Sequence, residues 1–163
     1  MTDRLELHLV RHGDAGDPDA WHRPDDERPL SQKGQAQAHR LADFLASVRP
    51  GIDAVITSPK VRARETAEPI ASVLGVPVSL DERLGAGFGI ADLAAIVADH
   101  GRPTRPLLVG HDPDFSDLAS TLLDTDLRLK KGAWIRIDVD GAAGPGTGRL
   151  RWLVPPDLLA PGR

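Results

Sequence analysis

Residues 5–16 read LELHLVRHGDAG, a short apolar strand that runs directly into an arginine, a histidine and a glycine. In open α/β folds, sites form where strands end at the carboxyl edge of the sheet. Arg11 offers the planar fork of donors that fits a phosphate or a carboxylate. His12 is suited to act as a base, a metal ligand or a nucleophile, and Gly13 lets the backbone turn sharply or approach a ligand closely. A polar turn at the end of a strand explains these residues equally well, so the rest of the chain has to decide.

The overall composition predicts one globular domain over residues 1–163. The chain is long enough to bury a core, and it is 40% hydrophobic and 27% charged. A net charge of −4 argues against nucleic-acid binding, which needs a basic surface. The absence of cysteine excludes disulfides and cysteine zinc sites and favours a reducing compartment. Residues 1–4 lead directly into the first strand and no run reaches about 18 apolar residues, so we expect a cytoplasmic protein without a leader or a membrane partner.

Strands and helices alternate through most of the chain. Ser31 is placed to cap a helix whose apolar residues recur at helical spacing until Pro50. Ser58 and Pro59 are expected to cap and open a second helix, which Pro69 should kink or break. The remaining predicted elements are strands at 53–57, 76–80, 105–110, 133–139 and 149–154, helices at 91–98 and 113–123, and an irregular tail from 155. This alternation predicts an α/β fold with a mostly parallel sheet.

Residues 14–28 form an acidic stretch without helical or strand periodicity. Its acidic residues are Asp14, Asp17, Asp19, Asp25, Asp26 and Glu27. We interpret it as a solvated loop beside the site in preference to a substrate-recognition element, because blocks of like charge usually face water. Its charge would repel polyanionic metabolites over a Debye length of about 8 Å, which disfavours bisphosphates.

Candidate side chains follow three of the predicted strands. Arg11 and His12 follow the first, Ser58 and Arg62 the second, and His111 and Asp112 the fourth. In a mostly parallel sheet these strand ends share one edge. Arg62 also lies near the start of a helix, whose free N–H groups and dipole favour an anion. Two arginines, a helix amino terminus and two histidines indicate a phosphoryl site that needs no metal, in which a neutral imidazole attacks in line.

These motifs resemble those of the histidine phosphatase superfamily, the phosphoglycerate mutase-like proteins. The matching segments are LVRHG at 9–13, PLS at 29–31 with GQA at 34–36, SPKVRARETA at 58–67 and VGH at 109–111. They span residues 7–112 in the order and spacing of the family, which is far more specific than any one of them. The resemblance implies a three-layer α/β/α sandwich with a mostly parallel central sheet and no cofactor or metal. It also implies that His12 accepts the phosphoryl group, which water then removes. In the same family-based assignment, Arg11 and Arg62 bind the phosphoryl group, and His111 donates a hydrogen bond to it in the transition state.

The general acid of the family is harder to place. In the mutase branch a glutamate follows a leucine shortly after the third strand, but here Leu84 is followed by a glycine and an alanine. The acid phosphatase branch uses an aspartate directly after the second histidine, where Asp112 stands. Asp112 also precedes a proline and is equally suited to cap the next helix. Glu82 and Asp14 are weaker candidates for the acid.

The substrate class follows from the size of the chain. The linker from 80 to 91 is short and rich in glycine and cannot form a substantial lid, so we expect an open site that suits a phosphate carried by another protein. In this the chain looks most like the SixA-type phosphohistidine phosphatases, which implies a phosphorylated partner such as a histidine-phosphotransfer domain. An imidazole leaving group also needs less help from an acid than an alkoxide does.

Three other functions remain open. They are a small-molecule phosphomonoesterase of the same fold, a metal hydrolase that uses His12, Asp14, His111 and Asp112, and a catalytically idle phosphate-binding module.

Overall fold

The computed structural model describes residues 3–162 of the 163. Met1, Thr2 and Arg163 lie outside the described residues. The two ends of the predicted domain and the expectation that the chain has no leader fall on these residues. The helices and strands are, in chain order, β1 (Arg4–Arg11), α1 (Gln32–Val48), β2 (Ala54–Thr57), α2 (Val61–Leu74), β3 (Val78–Leu80), α3 (Ile90–Asp99), β4 (Pro106–Gly110), α4 (Asp114–Leu123), β5 (Trp134–Asp140) and β6 (Gly148–Val154). Within residues 3–162, no helix combines the length and the apolar character needed to cross a membrane.

One six-stranded sheet has the order β3-β2-β4-β1-β5-β6. The neighbours β3 and β2, β2 and β4, and β4 and β1 are parallel, whereas β5 and β6 are added in antiparallel pairings. Parallel strands need covering on both faces, and all five residues of β4 are buried. The sheet is therefore mixed, with the predicted parallel part followed at one edge by two antiparallel strands, which correspond to the strands predicted at 133–139 and 149–154.

Side-chain alternation along β1 divides the core into two clusters. Leu7 and Leu9 point to the face on which α3 and α4 pack, whereas Val10 points to the face covered by α1 and α2. Residues two apart on a strand share a face, so one strand contributes to both clusters. Helices on both faces of the sheet confirm the predicted three-layer α/β/α sandwich.

The predicted cap of the second helix is wrong, and so is a division of that helix at Pro69. The α2 helix begins at Val61 with Lys60 as its capping residue, so Ser58 is not the cap. Pro69 lies inside a single uninterrupted helix and does not divide it. Burial of Ala67 and Ile70 against the sheet outweighs the one backbone bond that proline removes, since helix stability in proteins comes mostly from packing. The tail is also more regular than expected, because Pro156–Leu159 forms a 3-10 turn.

A close backbone approach ties the start of α1 to the segment that follows β1. Ser31 caps α1 as predicted, with its Oγ accepting from the Gly34 N–H at 3.1 Å. The Ser31 N–H donates to the carbonyl oxygen of Asp14 at 2.9 Å. A Cβ at Gly34 would overlap that carbonyl group, and a Cβ at Gly13 would lie 2.9 Å from the Gly34 oxygen. Glycine at both positions lets the chain beyond His12 lie directly on the first turn of α1.

We predict that Gly34→Ala destabilises the protein by about 1–3 kcal/mol, because the added methyl group has to displace backbone. Alanine is otherwise the better helix former, so the steric cost must exceed this gain. Urea denaturation monitored by circular dichroism measures the effect. Gln35→Ala, at the exposed neighbouring position, is the matched control and should change stability by less than about 0.5 kcal/mol. Equal stability of the two variants would contradict the close approach.

Candidate active site

The two central parallel strands bring the two candidate histidines together. Arg11 of β1 pairs with Gly110 of β4, so His12 and His111 emerge side by side with ring centroids 5.1 Å apart. Both line a cavity of about 370 Å³ at the carboxyl edge of the parallel strands. Its lining consists of Arg11, His12, Pro18, Arg28, Lys60, Arg62, Gly85, Ala86, Gly87, His111, Asp112, Pro113, Asp114 and Lys131. The cavity thus brings together Arg11, His12, Arg62, His111 and Asp112, the main candidates from the sequence, whereas Ser58, Glu82 and Asp14 are not among its lining residues.

The His12 ring is fixed in one tautomer. Its Nδ1 lies 2.7 Å from the carbonyl oxygen of Gly13, which can only accept, so Nδ1 carries the proton and Nε2 keeps its lone pair. Burial lowers the pKa of His12 to about 4, with the charges of Arg62 and Arg11 acting in the same direction and the bond to Gly13 opposing them. At neutral pH the ring is therefore uncharged and nucleophilic at Nε2. The sequence alone does not show which ring nitrogen of His12 carries the proton.

Each arginine of the site is held at its outer nitrogens. Arg11 Nη1 donates to the carbonyl oxygen of Leu129 at 2.7 Å and lies 3.4 Å from a carboxylate oxygen of Asp112. Arg62 Nη1 and Nη2 both donate to Asp25 at 2.8 Å, the first to its carbonyl oxygen and the second to its carboxylate. In both arginines Nε is buried and has no partner among residues 3–162. Each of the two arginines therefore keeps one buried charged donor without a partner among the described residues.

His111 is held through the opposite ring nitrogen from His12. Its Nε2 lies 2.7 Å from Ser58 Oγ, which also accepts from the Lys60 N–H at 3.2 Å. Burial, followed by the charges of His12, Arg62 and Lys60, lowers the pKa of His111 to about 3. This arrangement fits a Ser58 hydroxyl that donates to Nε2, with the single proton of the neutral ring on Nδ1. That Nδ1 is buried and unpartnered within the described chain.

Unmet hydrogen-bonding capacity is concentrated in this cavity. Five buried side-chain polar atoms have no partner in residues 3–162: His8 Nε2, Arg11 Nε, Arg62 Nε, His111 Nδ1 and Trp152 Nε1. Three of the five belong to cavity-lining residues. Leaving such a group buried and unmet costs about 1–3 kcal/mol, and all three are donors when His111 carries its proton on Nδ1. An anion with several acceptor oxygens satisfies them together.

The acidic loop is largely exposed to solvent, as predicted, and three of its six carboxylates also contact the site. Its carboxylates pair with cations of the cavity: Asp25 with Arg62 at 2.8 Å and Arg28 at 3.0 Å, Asp26 with Lys60 at 3.3 Å, and Asp14 with Lys131 at 3.5 Å. Three of the six negative charges of the loop are matched locally in this way, which weakens the predicted repulsion of polyanions. Sequence reasoning missed the three additional cations, Arg28, Lys60 and Lys131. Two of them lie in or beside recognised motifs, Lys60 within 58–67 and Arg28 directly before Pro29, and that position was the available signal.

The capping residue of α4 is Pro113, but the Asp112 carboxylate also binds the first turn of that helix. This carboxylate accepts from the Ser116 N–H at 3.2 Å and from the Ser116 hydroxyl at 2.6 Å, and it also faces Arg11. Both oxygens are thus engaged, although the residue lines the cavity. Neither weaker candidate for the acid, Glu82 or Asp14, belongs to the lining.

Asp14 also takes no part in a metal-ligand arrangement. The hydrogen bond from the Ser31 hydroxyl at 2.6 Å holds its carboxylate and is the main cause of its lowered pKa. The ligand set of the metal-hydrolase alternative, His12, Asp14, His111 and Asp112, is not assembled within residues 3–162.

Comparison with known proteins identifies the class to which this fold and site belong. A sequence profile of the histidine phosphatase superfamily (branch 1) matches residues 7–90. An uncharacterized protein of Picosynechococcus sp. is 34% identical over 121 residues, which cover 72% of this chain and 73% of that protein. The chain belongs to the histidine phosphatase superfamily, as the motifs predicted. Some other curated relatives are matched over only 20% to 41% of their own length.

Solved structures share the whole fold. The protein histidine phosphatase SixA complexed with tungstate superimposes with a TM-score of 0.81 at 23% identity, covering 96% of this chain and 100% of that chain. A phosphoserine phosphatase from Entamoeba histolytica, solved with phosphoserine, gives a TM-score of 0.72 at 16% identity over 96% of this chain and 100% of that chain. At these identities the likeness shows the fold.

We predict that stability falls as the pH is lowered from 6.5 to 5. Burial lowers the pKa of His8 to about 4, as it does for His12, and that of His111 to about 3, against an ordinary value of 6.5. Over this range these histidines bind protons in the unfolded chain but stay neutral in the folded protein. The free energy of unfolding therefore rises with pH. Each of the three histidines contributes up to about 1.4 kcal/mol per pH unit.

Urea denaturation at several pH values measures this slope. His12→Asn should remove about a third of it, since three histidines share the effect. The matched change at the exposed His39 should leave the slope as it is. A free energy of unfolding that stays constant between pH 6.5 and 5 would show that these rings are not held neutral.

Proposed function

We propose that the protein is a phosphatase that transfers a phosphoryl group to His12 and then to water. The observation that carries the proposal is the cavity itself, in which a neutral His12 lies beside three unpartnered donors on Arg11, Arg62 and His111. Membership in a superfamily of phosphatases and mutases supports the same class of reaction. Phosphoryl transfer needs little more than positioning and charge stabilisation, and this cavity offers both.

The reaction proceeds in two displacements. His12 Nε2 attacks phosphorus in line, the bond from phosphorus to the leaving group breaks, and the leaving group takes up a proton. A water molecule then attacks the phosphohistidine, the phosphorus–nitrogen bond breaks, and inorganic phosphate leaves with His12 neutral again. Arg11 and Arg62 bind the equatorial oxygens in both steps, and the Nδ1–H of His111 donates to the same group. Asp112 lines the cavity and is our candidate for the proton donor, although its carboxylate is engaged with Ser116.

The substrate class that we favour is phosphohistidine or another phosphoprotein. Gly85, Ala86 and Gly87 form one wall of the cavity, and no longer insertion between β3 and α3 is present to close over a small molecule. An imidazole leaving group reduces the need for a strong acid, which agrees with the engaged state of Asp112. A phosphorylated protein such as a histidine-phosphotransfer domain is the partner implied, and SixA has the same fold.

A small phosphomonoester is the second candidate. The cavity-lining cations Arg28, Lys60 and Lys131 would suit a substrate with a second anionic group beside the phosphoryl. The phosphoserine phosphatase of the same fold is a precedent for this class.

We also propose that the chain acts as one cytoplasmic domain. A single sheet with a hydrophobic cluster on each face supports one domain over the described residues. The cytoplasmic location rests on the composition.

Brief incubation with a ³²P-labelled phosphoramidate should label the protein on histidine, giving an adduct that is lost in acid and stable in base. His12→Ala should abolish labelling, because the bond between Nδ1 and the Gly13 carbonyl oxygen leaves the lone pair of His12 on the free Nε2. His39→Ala, in the exposed part of α1, is the matched control and should label normally. Phosphate binding without label in the wild type would instead indicate the idle binding module.

Comparing kcat/KM between a phosphorylated histidine-phosphotransfer domain and a panel of small phosphomonoesters tests the substrate class. Specificity is measured by the ratio of the kcat/KM values of two substrates. We expect this ratio to favour the protein substrate by at least about tenfold. Phosphoserine and a bisphosphate belong in the panel, since both carry a second anionic group. Preference for either one over the phosphoprotein would replace our first candidate by the second.

A further inference from the structure

Asp25, in the acidic loop, contacts the most deeply buried cation of the site. We infer that Asp25 is a positioning residue that orients Arg62 for binding the phosphoryl group, and this inference rests on the proposed function. Asp25 is not expected to touch substrate. Its role is to fix the guanidinium that does.

The contact between the two residues restricts Arg62 strongly. Arg62 is only 5% exposed, and both of its Nη atoms donate to Asp25, one to the carbonyl oxygen and one to the carboxylate, each at 2.8 Å. A planar group held at two points by one residue cannot rotate about its long axis. The guanidinium has five N–H donors, and the Nε donor is buried and without a partner in the described chain. Asp25 therefore occupies one edge of the guanidinium and leaves the edge that contains Nε for a ligand.

Asp25 is itself held in place from the other side. Arg28 Nε donates to the second carboxylate oxygen of Asp25 at 3.0 Å, and Arg28 Nη1 donates to the carbonyl oxygen of Ala15 at 2.8 Å. Arg28 is 8% exposed, so this link is shielded from solvent on the arginine side, whereas the Asp25 side chain is 53% exposed. The two oxygens of Asp25 thus serve two different arginines, and Arg62 is connected to the segment that follows His12.

The second phosphate-binding arginine is anchored in a similar way. Arg11 Nη1 binds the carbonyl oxygen of Leu129 and faces the Asp112 carboxylate, while its Nε is free. Each arginine therefore has one carbonyl oxygen and one carboxylate at its outer nitrogens. This shared arrangement favours anchoring over the alternative, in which Asp25 merely occupies the place of the substrate anion.

The other acidic pairs of the loop differ in kind. Asp26 and Lys60 are 3.3 Å apart, and Asp14 and Lys131 are 3.5 Å apart, each through a single nitrogen. Single contacts of flexible lysines at the surface contribute little. Among the carboxylates of the acidic loop, the positioning role is therefore specific to Asp25.

The two readings of Asp25 predict opposite effects of Asp25→Asn on phosphate binding. If Asp25 positions Arg62, the variant should bind inorganic phosphate about fivefold more weakly and lose about tenfold in kcat, since small misplacements of a binding group are costly. If Asp25 competes with substrate, the variant should bind phosphate more tightly. Isothermal titration with inorganic phosphate and steady-state assays with p-nitrophenyl phosphate measure both quantities. Unchanged or tighter phosphate binding overturns the inference.

Asp19→Asn is the matched control for charge. Asp19 is an exposed residue of the same loop, and no cation contacts its carboxylate in the structure of residues 3–162. Its substitution should leave phosphate binding and kcat unchanged. An equal effect of both substitutions would assign the loss to net charge and overturn the inference. Thermal unfolding of both variants confirms that each is folded at the assay temperature.

A double-mutant cycle tests whether Asp25 acts through Arg62. In an Arg62→Ala background, Asp25→Asn should cost nothing further in kcat/KM, because the group that it positions is gone. An undiminished loss in that background overturns the inference. Failure of the proposed function is separable from this result. A protein that hydrolyses no phosphate ester, yet binds phosphate more weakly after Asp25→Asn, would refute the phosphatase and retain Asp25 as the anchor of Arg62.

Discussion

The parallel pairing of β1 with β4 is the constraint on which the site depends. The ladder continues past the strand ends, where the His12 N–H donates to the Gly110 carbonyl oxygen at 3.0 Å, and it sets the two imidazoles next to each other. A one-residue slip would turn every side chain of β1 to the opposite face, so that the polar Glu6 and His8 would replace Leu7 and Leu9 in their cluster. The core therefore fixes the register, and the register fixes the distance between the two histidines.

Burial then sets the chemistry of these side chains. Two neutral imidazoles lie within a group of cations, and each is oriented through one ring nitrogen by a neighbour, the Gly13 carbonyl for His12 and the Ser58 hydroxyl for His111. Both arginines are oriented in turn by oxygen atoms. The polar groups of the cavity are thus arranged before any ligand arrives, and little reorganisation is needed when charge develops.

Local patterns were enough to predict most of the fold and the main candidates in the site. Apolar runs that end in polar residues located β1 and β4, and the parallel connection placed His12 and His111 on one edge. The features that the sequence did not predict involve contacts between residues far apart in sequence. Ser58 has the local signature of a helix cap, yet its hydroxyl meets a histidine 53 positions later. Asp25 lies in a loop without periodicity, and nothing local indicates that it binds an arginine 37 positions away.

The charge pairs around the cavity also differ in how strongly they feel dissolved ions. The Asp25–Arg62 pair is closed in on the arginine side, whereas the lysine pairs at the rim are open to water, with the Asp26 side chain 74% exposed. Salt screens exposed charges much more than enclosed ones. Ionic strength should therefore act on the encounter with an anionic partner, which the rim governs, and leave the transfer step at His12 nearly constant.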